Sequence, residues 1–208
     1  MNSAALILAA MDHLWTPWRY AYVTQPETGS PESNAQPNRA RPGVTPALAA
    51  WPGDRHCVFC NLVAAADYAI EQGMAPEAAD RAANIVLRGP DCYVCLNSYP
   101  YATGHVMVVP YVHEASLAAL AEHTAQEMMA LAQRIARALE QAYHPDGMNL
   151  GLNQGKAAGA GVAGHLHLHA LPRWLGDTNF MTVVGETRVL PETLEQTWER
   201  LHAALTHS

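Results

Sequence analysis

The chain has 208 residues, 50% of them hydrophobic, and a formal net charge of −7. That length and composition suit one domain with extensions and a full apolar core. The acidic balance argues against non-specific binding along a nucleic-acid backbone, which needs a basic surface, but it leaves room for a small nucleotide in a local pocket.

Residues 4–11 are a short apolar run with no basic residue ahead of them. The run is far below the ~20 residues that cross a bilayer, and a secretory signal wants a positive start and a longer apolar stretch. A cytoplasmic protein with no membrane partner is expected, and Met11 is a candidate start. The four cysteines suit a reducing compartment, where such residues bind metal or pack more often than they form disulfides.

Residues 12–23 are dense in aromatics and read as a segment packed on the domain. Residues 24–53 carry six prolines and three glycines, which reads as a flexible insert. The expected organisation is therefore 1–23, an N-terminal aromatic segment; 24–53, the insert; and 54–208, the main domain. Cys57-Val-Phe-Cys60 precedes an apolar helical turn, and 67–83 reads as an alanine-rich surface loop with some helix.

Short β-rich runs at 85–88 and 92–97 flank Gly89-Pro90 as a hairpin-like pair, and 104–110 is a further strand. Thr124-Ala-Gln-Glu127 has the form of a capping box. Met128, Leu131, Ile135 and Leu139 then recur at helical spacing, and His144-Pro-Asp-Gly147 ends the helix. Strands follow at 148–152, 165–171 and 180–184, and 191–205 reads as a terminal helix. The class is α+β with a mainly antiparallel sheet, a long packing helix and a C-terminal helix.

Gly164-His-Leu-His-Leu-His-Ala-Leu-Pro172 is the most informative stretch. Alternation with period two is a strand signature, so His165, His167 and His169 share one face, with Cβ atoms about 6.6 Å apart at ~3.3 Å per residue. Leu166, Leu168 and Ala170 point the other way, into a core. Five glycines lie in the fourteen residues from Gly151 to Gly164, where average usage predicts about one. Glycine lets backbone N–H groups turn towards a phosphate without a Cβ in the way. Three readings of the histidine row stay open on spacing alone. It is a nucleophile site, since imidazole is largely unprotonated at neutral pH and leaves readily from a phosphoramidate. Or it is a zinc site that activates water. Or it is an idle solvated face.

The row resembles the histidine-triad motif, His-φ-His-φ-His-φ-φ, of a superfamily of nucleotide hydrolases and transferases. Leu14-Trp-Thr-Pro-Trp-Arg19, Cys57-Val-Phe-Cys60, Asn97-Ser-Tyr-Pro-Tyr-Ala-Thr-Gly-His105, Val109-Pro-Tyr-Val-His113, Asn153-Gln-Gly and Pro172-Arg-Trp-Leu-Gly-Asp-Thr-Asn-Phe-Met181 extend the match. They resemble a bacterial branch similar to diadenosine tetraphosphate phosphorylases. The resemblance covers 12–23 and roughly 54–185.

It implies a histidine-triad fold and attack by the middle histidine, His167, on the α-phosphorus of a nucleotide. His169 would orient the phosphate and assist the leaving group, and Asn153 would bind near the reacting phosphate. Asn97, His105, Gly159, Gly161 and Trp174 would line the nucleotide side. Gly161 departs from a pattern that often places a serine, threonine or glutamine there, so the leaving-group contact is the feature it affects. The implied reaction is phosphorolysis of diadenosine tetraphosphate to ADP and ATP. The alternatives are a dinucleoside polyphosphate hydrolase, a nucleoside phosphoramidase, a non-catalytic nucleotide-binding module, or a zinc hydrolase using the row as ligands. The expected partners are a nucleotide, phosphate and a second copy in a homodimer, with no organic cofactor.

Cys57, Cys60, His113 and His165 resemble the zinc set of several members, with a structural metal that ties the N-terminal segment to the histidine strand. Cys92-x-x-Cys95 competes for the cysteine partners, but positions three apart on a strand face opposite sides. Lys156 is a candidate to neutralise a polyphosphate, and Arg173 reads equally as a phosphate partner or a surface residue. His13, His56, His123, His144, His202 and His207 carry no pattern.

Overall fold

A computed structural model describes residues 41–178 and 191–206. Within it, 41–175 and 191–206 form one compact unit. The aromatic segment 12–23, the expected strand at 180–184 and most of the insert lie outside the described residues.

The sheet is five-stranded and antiparallel. Its strands are β1 (Ile85–Arg88), β2 (Cys92–Leu96), β3 (Val106–Pro110), β4 (Gly147–Leu152) and β5 (Leu168–Arg173), in the order β1-β2-β3-β5-β4. Four α-helices accompany it among the described residues: α1 (Val58–Glu71), α2 (Pro76–Ala82), α3 (Glu122–Tyr143) and α4 (Leu194–Thr206). The expected α+β class holds. The β1–β2 hairpin closes at Gly89, whose N–H donates to the Cys92 carbonyl at 2.8 Å. Gly104, at φ +77°, turns the chain into β3; a Cβ there would press on Pro172, Tyr143 and Leu139 at 3.1–3.2 Å.

Strand alternation sorts the core into two layers. Val94, Leu96, Val106, Val108, Leu166, Leu168 and Ala170 pack with Met128, Leu131, Ile135 and Leu139 of α3 and with Trp198 and Leu201 of α4. Ile85, Tyr93, Cys95, Met107 and Val109 pack the other way, with Phe59, Leu62, Ala65 and Ala66 of α1 and Ala79 of α2. Cys92 and Cys95 fall in opposite layers, as their spacing requires, so they form no common site.

Three local expectations are revised. The α3 helix starts at Glu122 with Ala121 as N-cap and no side-chain cap, so Thr124–Glu127 is no capping box. Thr124 is buried inside the first turn, and Glu127 Oε2 instead accepts the Asp91 N–H at 2.6 Å, bracing the β1–β2 turn. Residues 67–83 hold the end of α1 and all of α2 rather than mostly loop. Ala79 and Ala83 are fully buried there; close helix–sheet packing uses small residues, which leave little apolar periodicity to read. Finally, the last part of the stretch read as an insert is folded. Pro46–Leu48 makes a 3₁₀ turn, Leu48 and Trp51 are buried, and the Arg41 guanidinium donates to the carbonyls of Ala49, Trp51 and Gly53. Proline excludes helix and ladder there, but not a turn pinned by two large side chains.

No helix among the described residues is long and apolar enough to cross a membrane.

Candidate active site and metal centre

The histidine row keeps its alternation but not its strand. β5 begins at Leu168, so only His169 stands in the ladder, opposite Met107 of β3 and Gly151 of β4. Residues 165–167 are held instead by the segment after β3: Leu166 N–H donates to the Glu114 carbonyl at 2.6 Å. His165, His167 and His169 are 1%, 3% and 7% exposed, so each ring nitrogen turned inward needs a partner.

His165 Nε2 lies 2.9 Å from the Pro110 carbonyl. A carbonyl only accepts, so Nε2 carries the proton and Nδ1 presents a lone pair. That lone pair faces Cys57 Sγ at 3.4 Å and Cys60 Sγ at 3.6 Å, and His113 Nδ1 is 3.4 Å from Cys60 Sγ. The ligand atoms of all four residues lie within 4.8 Å of one another. Zinc held tetrahedrally at ~2.3 Å from sulfur and ~2.0 Å from nitrogen sets S···N edges of about 3.5 Å, so the donor set fits that ion. Burial pulls the His165 imidazole down to about 4, which keeps it neutral as a ligand must be. Burial, and then the neighbouring Cys57, push the Cys60 thiol up to about 11. A dication between the two sulfurs would reverse that and hold them as thiolates.

The Cys57–Cys60 turn opens α1 and is itself tied down. Phe59, between the cysteines, accepts the Tyr93 hydroxyl proton on its carbonyl at 3.1 Å. The fully buried Asn61 accepts the Arg55 N–H at 2.6 Å and donates to Asp54 and the Pro42 carbonyl at 2.9 Å each. Neither Phe59 nor Asn61 stands out in the sequence. The one available signal was their place within and just after the cysteine pair.

His167 Nδ1 lies 2.8 Å from the His165 carbonyl, so Nδ1–H donates and the lone pair is on Nε2. Its ring rests against Phe59, with centroids 4.9 Å apart, and against His169 at 4.8 Å. The Tyr101 backbone N–H donates to His105 Nδ1 at 3.1 Å, so neutral His105 carries its proton on Nε2 and donates to His169 Nδ1 at 2.9 Å. Neutral His169 therefore carries its proton on Nε2. The two rings thus differ in kind: His167 presents a lone pair on Nε2, and His169 presents an N–H there. Tyr101, whose N–H starts this chain, was not among the expected site residues because a backbone donor has no sequence signature.

Other expected residues are placed as follows. Asn97 Nδ2 is 3.3 Å from His105 Nδ1, and its Oδ1 accepts the Tyr99 N–H at 2.9 Å, so it joins the His105–His169 end. Asn153 is half-buried just past β4. The register pairs Leu152 with Leu168, and one further step would set Asn153 against His167. Gly159, at φ +83°, and Gly161 are exposed on the loop that returns to His165, and a Cβ on Gly159 would meet nothing within 4 Å. Trp174 stands edge-on to Tyr143 of α3 at 6.3 Å, and Arg173 donates to Asn149 at 2.8 Å.

A five-stranded antiparallel sheet carrying an ordered histidine row, beside a Cys₂His₂ donor set that shares its first member, defines a histidine-triad protein. The HIT domain family matches residues 79–174, and the chain belongs to that family. An AP-4-A phosphorylase of Mycobacterium tuberculosis is 35% identical over 188 residues, 90% of this chain and 80% of that protein. The crystal structure of a Zn-bound histidine triad family protein from Mycobacterium smegmatis, also 35% identical, superposes with a TM-score of 0.53 over 73% of this chain and 94% of that one. A hypothetical histidine triad nucleotide-binding protein from Sulfolobus tokodaii, 23% identical, superposes at 0.54 over 73% and 93% and shows the shared fold.

Proposed function

We propose that this protein is a nucleotide-processing enzyme that transfers a nucleotidyl group through His167, with diadenosine tetraphosphate as substrate and phosphate as acceptor. The observation that carries the reading is the pairing of opposite proton states, a lone pair on His167 Nε2 beside an N–H on His169 Nε2. In the first step His167 Nε2 attacks the α-phosphorus, a P–N bond forms, the P–O bond breaks, and ATP leaves with the His169 proton. In the second step an oxygen of hydrogen phosphate attacks the same phosphorus and its proton returns to His169 Nε2, the P–N bond breaks, and ADP leaves while His167 regains its lone pair. Asn153 and the N–H groups of the Gly159–Gly161 loop hold phosphate oxygens, and Asn97 and Trp174 hold the nucleoside side. The 35% identity to a mycobacterial AP-4-A phosphorylase supports this choice of substrate.

The test is product analysis. With diadenosine tetraphosphate, labelled phosphate should enter the β-position of ADP, and ATP should appear in equal amount. AMP formed at the same rate without phosphate would make the protein a hydrolase, and absence of any adenylate trapped on His167 would remove the covalent step.

Zinc bound by Cys57, Cys60, His113 and His165 accompanies this reading, supported by the donor geometry and by the Zn-bound mycobacterial neighbour. Purified protein should hold about one zinc per chain. None of the four cysteines is in a disulfide, which suits a cytoplasmic protein. A homodimer fits too. β4 is an edge strand among the described residues, with Leu150 48% exposed on it and Met129 57% exposed on α3. A second copy covering that edge would pair its backbone groups. Sedimentation velocity reporting a monomer at micromolar concentration would reject it.

A further inference from the structure

The metal donor set and the histidine read as the nucleophile share a residue. His165 makes four polar contacts with one ring and one carbonyl. Its Nδ1 faces Cys57 and Cys60 at 3.4 and 3.6 Å, its Nε2–H donates to Pro110, and its own carbonyl accepts the His167 Nδ1–H at 2.8 Å. A shift of His165 as a whole relative to the cysteines therefore moves the acceptor that orients His167.

Two further links run alongside. Phe59 lies between the donor cysteines, and its ring contacts both His165 (5.4 Å, edge-on) and His167 (4.9 Å). The turn that supplies two sulfurs thus also sets one wall of the His167 ring. Leu166, between the two histidines, donates its N–H to Glu114, the residue after the ligand His113. His165 and Phe59 both contact His167, the His113 segment holds the neighbouring Leu166, and each of the three includes or adjoins a metal donor.

We propose that the metal centre positions the nucleophile. Zinc fixes the Cys57–Cys60 turn and His165 in one geometry, and the His165 carbonyl and Phe59 ring pass that geometry to the His167 Nε2 lone pair. His165 and Phe59 are positioning residues, and the metal sets turnover as well as stability. This rests on the reading of His167 as nucleophile. A metal that acts only as a staple predicts something different, since any ion that closes the same four donors would then serve equally.

Exchanging zinc for cadmium separates the two. Cadmium prefers the same thiolates but is larger, so it keeps the staple and shifts the donors. Both metal forms of the full chain are compared by nitrogen-15 NMR of the histidine rings and by steady-state kinetics with diadenosine tetraphosphate. The His167 ring signals should move between the two forms, while those of His202, stacked on Trp198 in α4, should stay. In the cadmium form kcat should fall by about threefold or more with KM within about twofold, as expected for a sub-ångström misplacement of a reacting atom. Phe59→Leu, loaded with zinc, should show the same displaced His167 signal and the same loss in kcat.

Unmoved His167 signals and equal kcat in both metal forms overturn the proposal, as does failure to take up either metal. If the His167 signals move but neither form cleaves the substrate, the coupling stands and the choice of reaction fails. If both forms cleave it equally with unmoved signals, the reaction stands and the coupling fails.

Discussion

The two faces of the sheet are made by the same alternation and obey different physics. On the α3–α4 side, Val94, Leu96, Val108, Leu166 and Leu168 meet Ile135, Leu139 and Leu201 through non-directional burial. Volume and patterning decide such a layer, and size-conserving exchanges there cost less than about 1.5 kcal/mol. On the α1–α2 side β5 sets His169 opposite Met107, and the segment just before it sets His167 against Phe59. Each buried imidazole there has its proton placed by a named acceptor or donor, including the Pro110 and His165 carbonyls and the Tyr101 N–H. One face stores stability, and the other stores proton positions. A large effect on one should leave the other nearly untouched.

The sharpest break is His167→Ala. On the proposed reaction, turnover should fall by at least about 1,000-fold, because no neighbouring group would replace the attacking nitrogen. The melting temperature and zinc content should stay close to wild type, since His167 is not a metal donor. Loss of zinc in that variant would favour a metal-activated water instead.

Ile135→Ala is the mirror experiment. Ile135 is fully buried against the sheet. Its truncation should cost about 2–5 kcal/mol in denaturant unfolding and leave kcat within about twofold at a temperature where the variant is folded. A kcat loss as large as that of a site variant would show that the two faces are not separable.

His105→Ala should lie between these. It leaves His169 Nδ1 without the donor that places its proton, so in the proposed reaction the group that protonates the leaving group loses its fixed form. A fall in kcat of about 10- to 100-fold is expected, with the acidic or basic limb of the pH–rate profile displaced. Substrates with a more acidic leaving group should suffer less, and equal loss for all leaving groups would argue against the relay.

The smallest expected effect is on stability against pH, and it too belongs to the histidine face. His165 is held at about 4 by burial, below the ordinary 6.5. Between those values the unfolded chain binds more protons, so stability of the metal-free protein is complete above the ordinary value and declines as pH falls towards 4. Zinc should be released over the same range, because the proton competes for Nδ1. Thermal melts at pH 7 and pH 4.5, with and without chelator, check this, and Ile135→Ala should leave the pH slope unchanged.

Much of the architecture was legible from local pattern. The runs at 85–88, 92–97 and 104–110 became β1 to β3, and Met128, Leu131, Ile135 and Leu139 face the sheet as their spacing requires. The opposite facing of Cys92 and Cys95 followed from pleat alone. The α1–α2 region was read too loosely because alanine packs closely without an apolar rhythm, and the Thr124 cap failed because Glu127 was taken by a turn 36 residues away.

For the site, the alternation His165-Leu-His167-Leu-His169 by itself determined which side chains face the core and which face the chemistry. It could not say on which nitrogen each ring carries its proton. Only the tertiary structure decided that, by bringing the Pro110 carbonyl to His165 across 55 residues and His105 to His169 across 64. The donor cysteine Cys57 likewise meets His165 across 108 residues. The physical reason is that a proton's place on an imidazole is set by the nearest acceptor or donor. Several of those partners are backbone groups, which every residue carries and no sequence pattern marks.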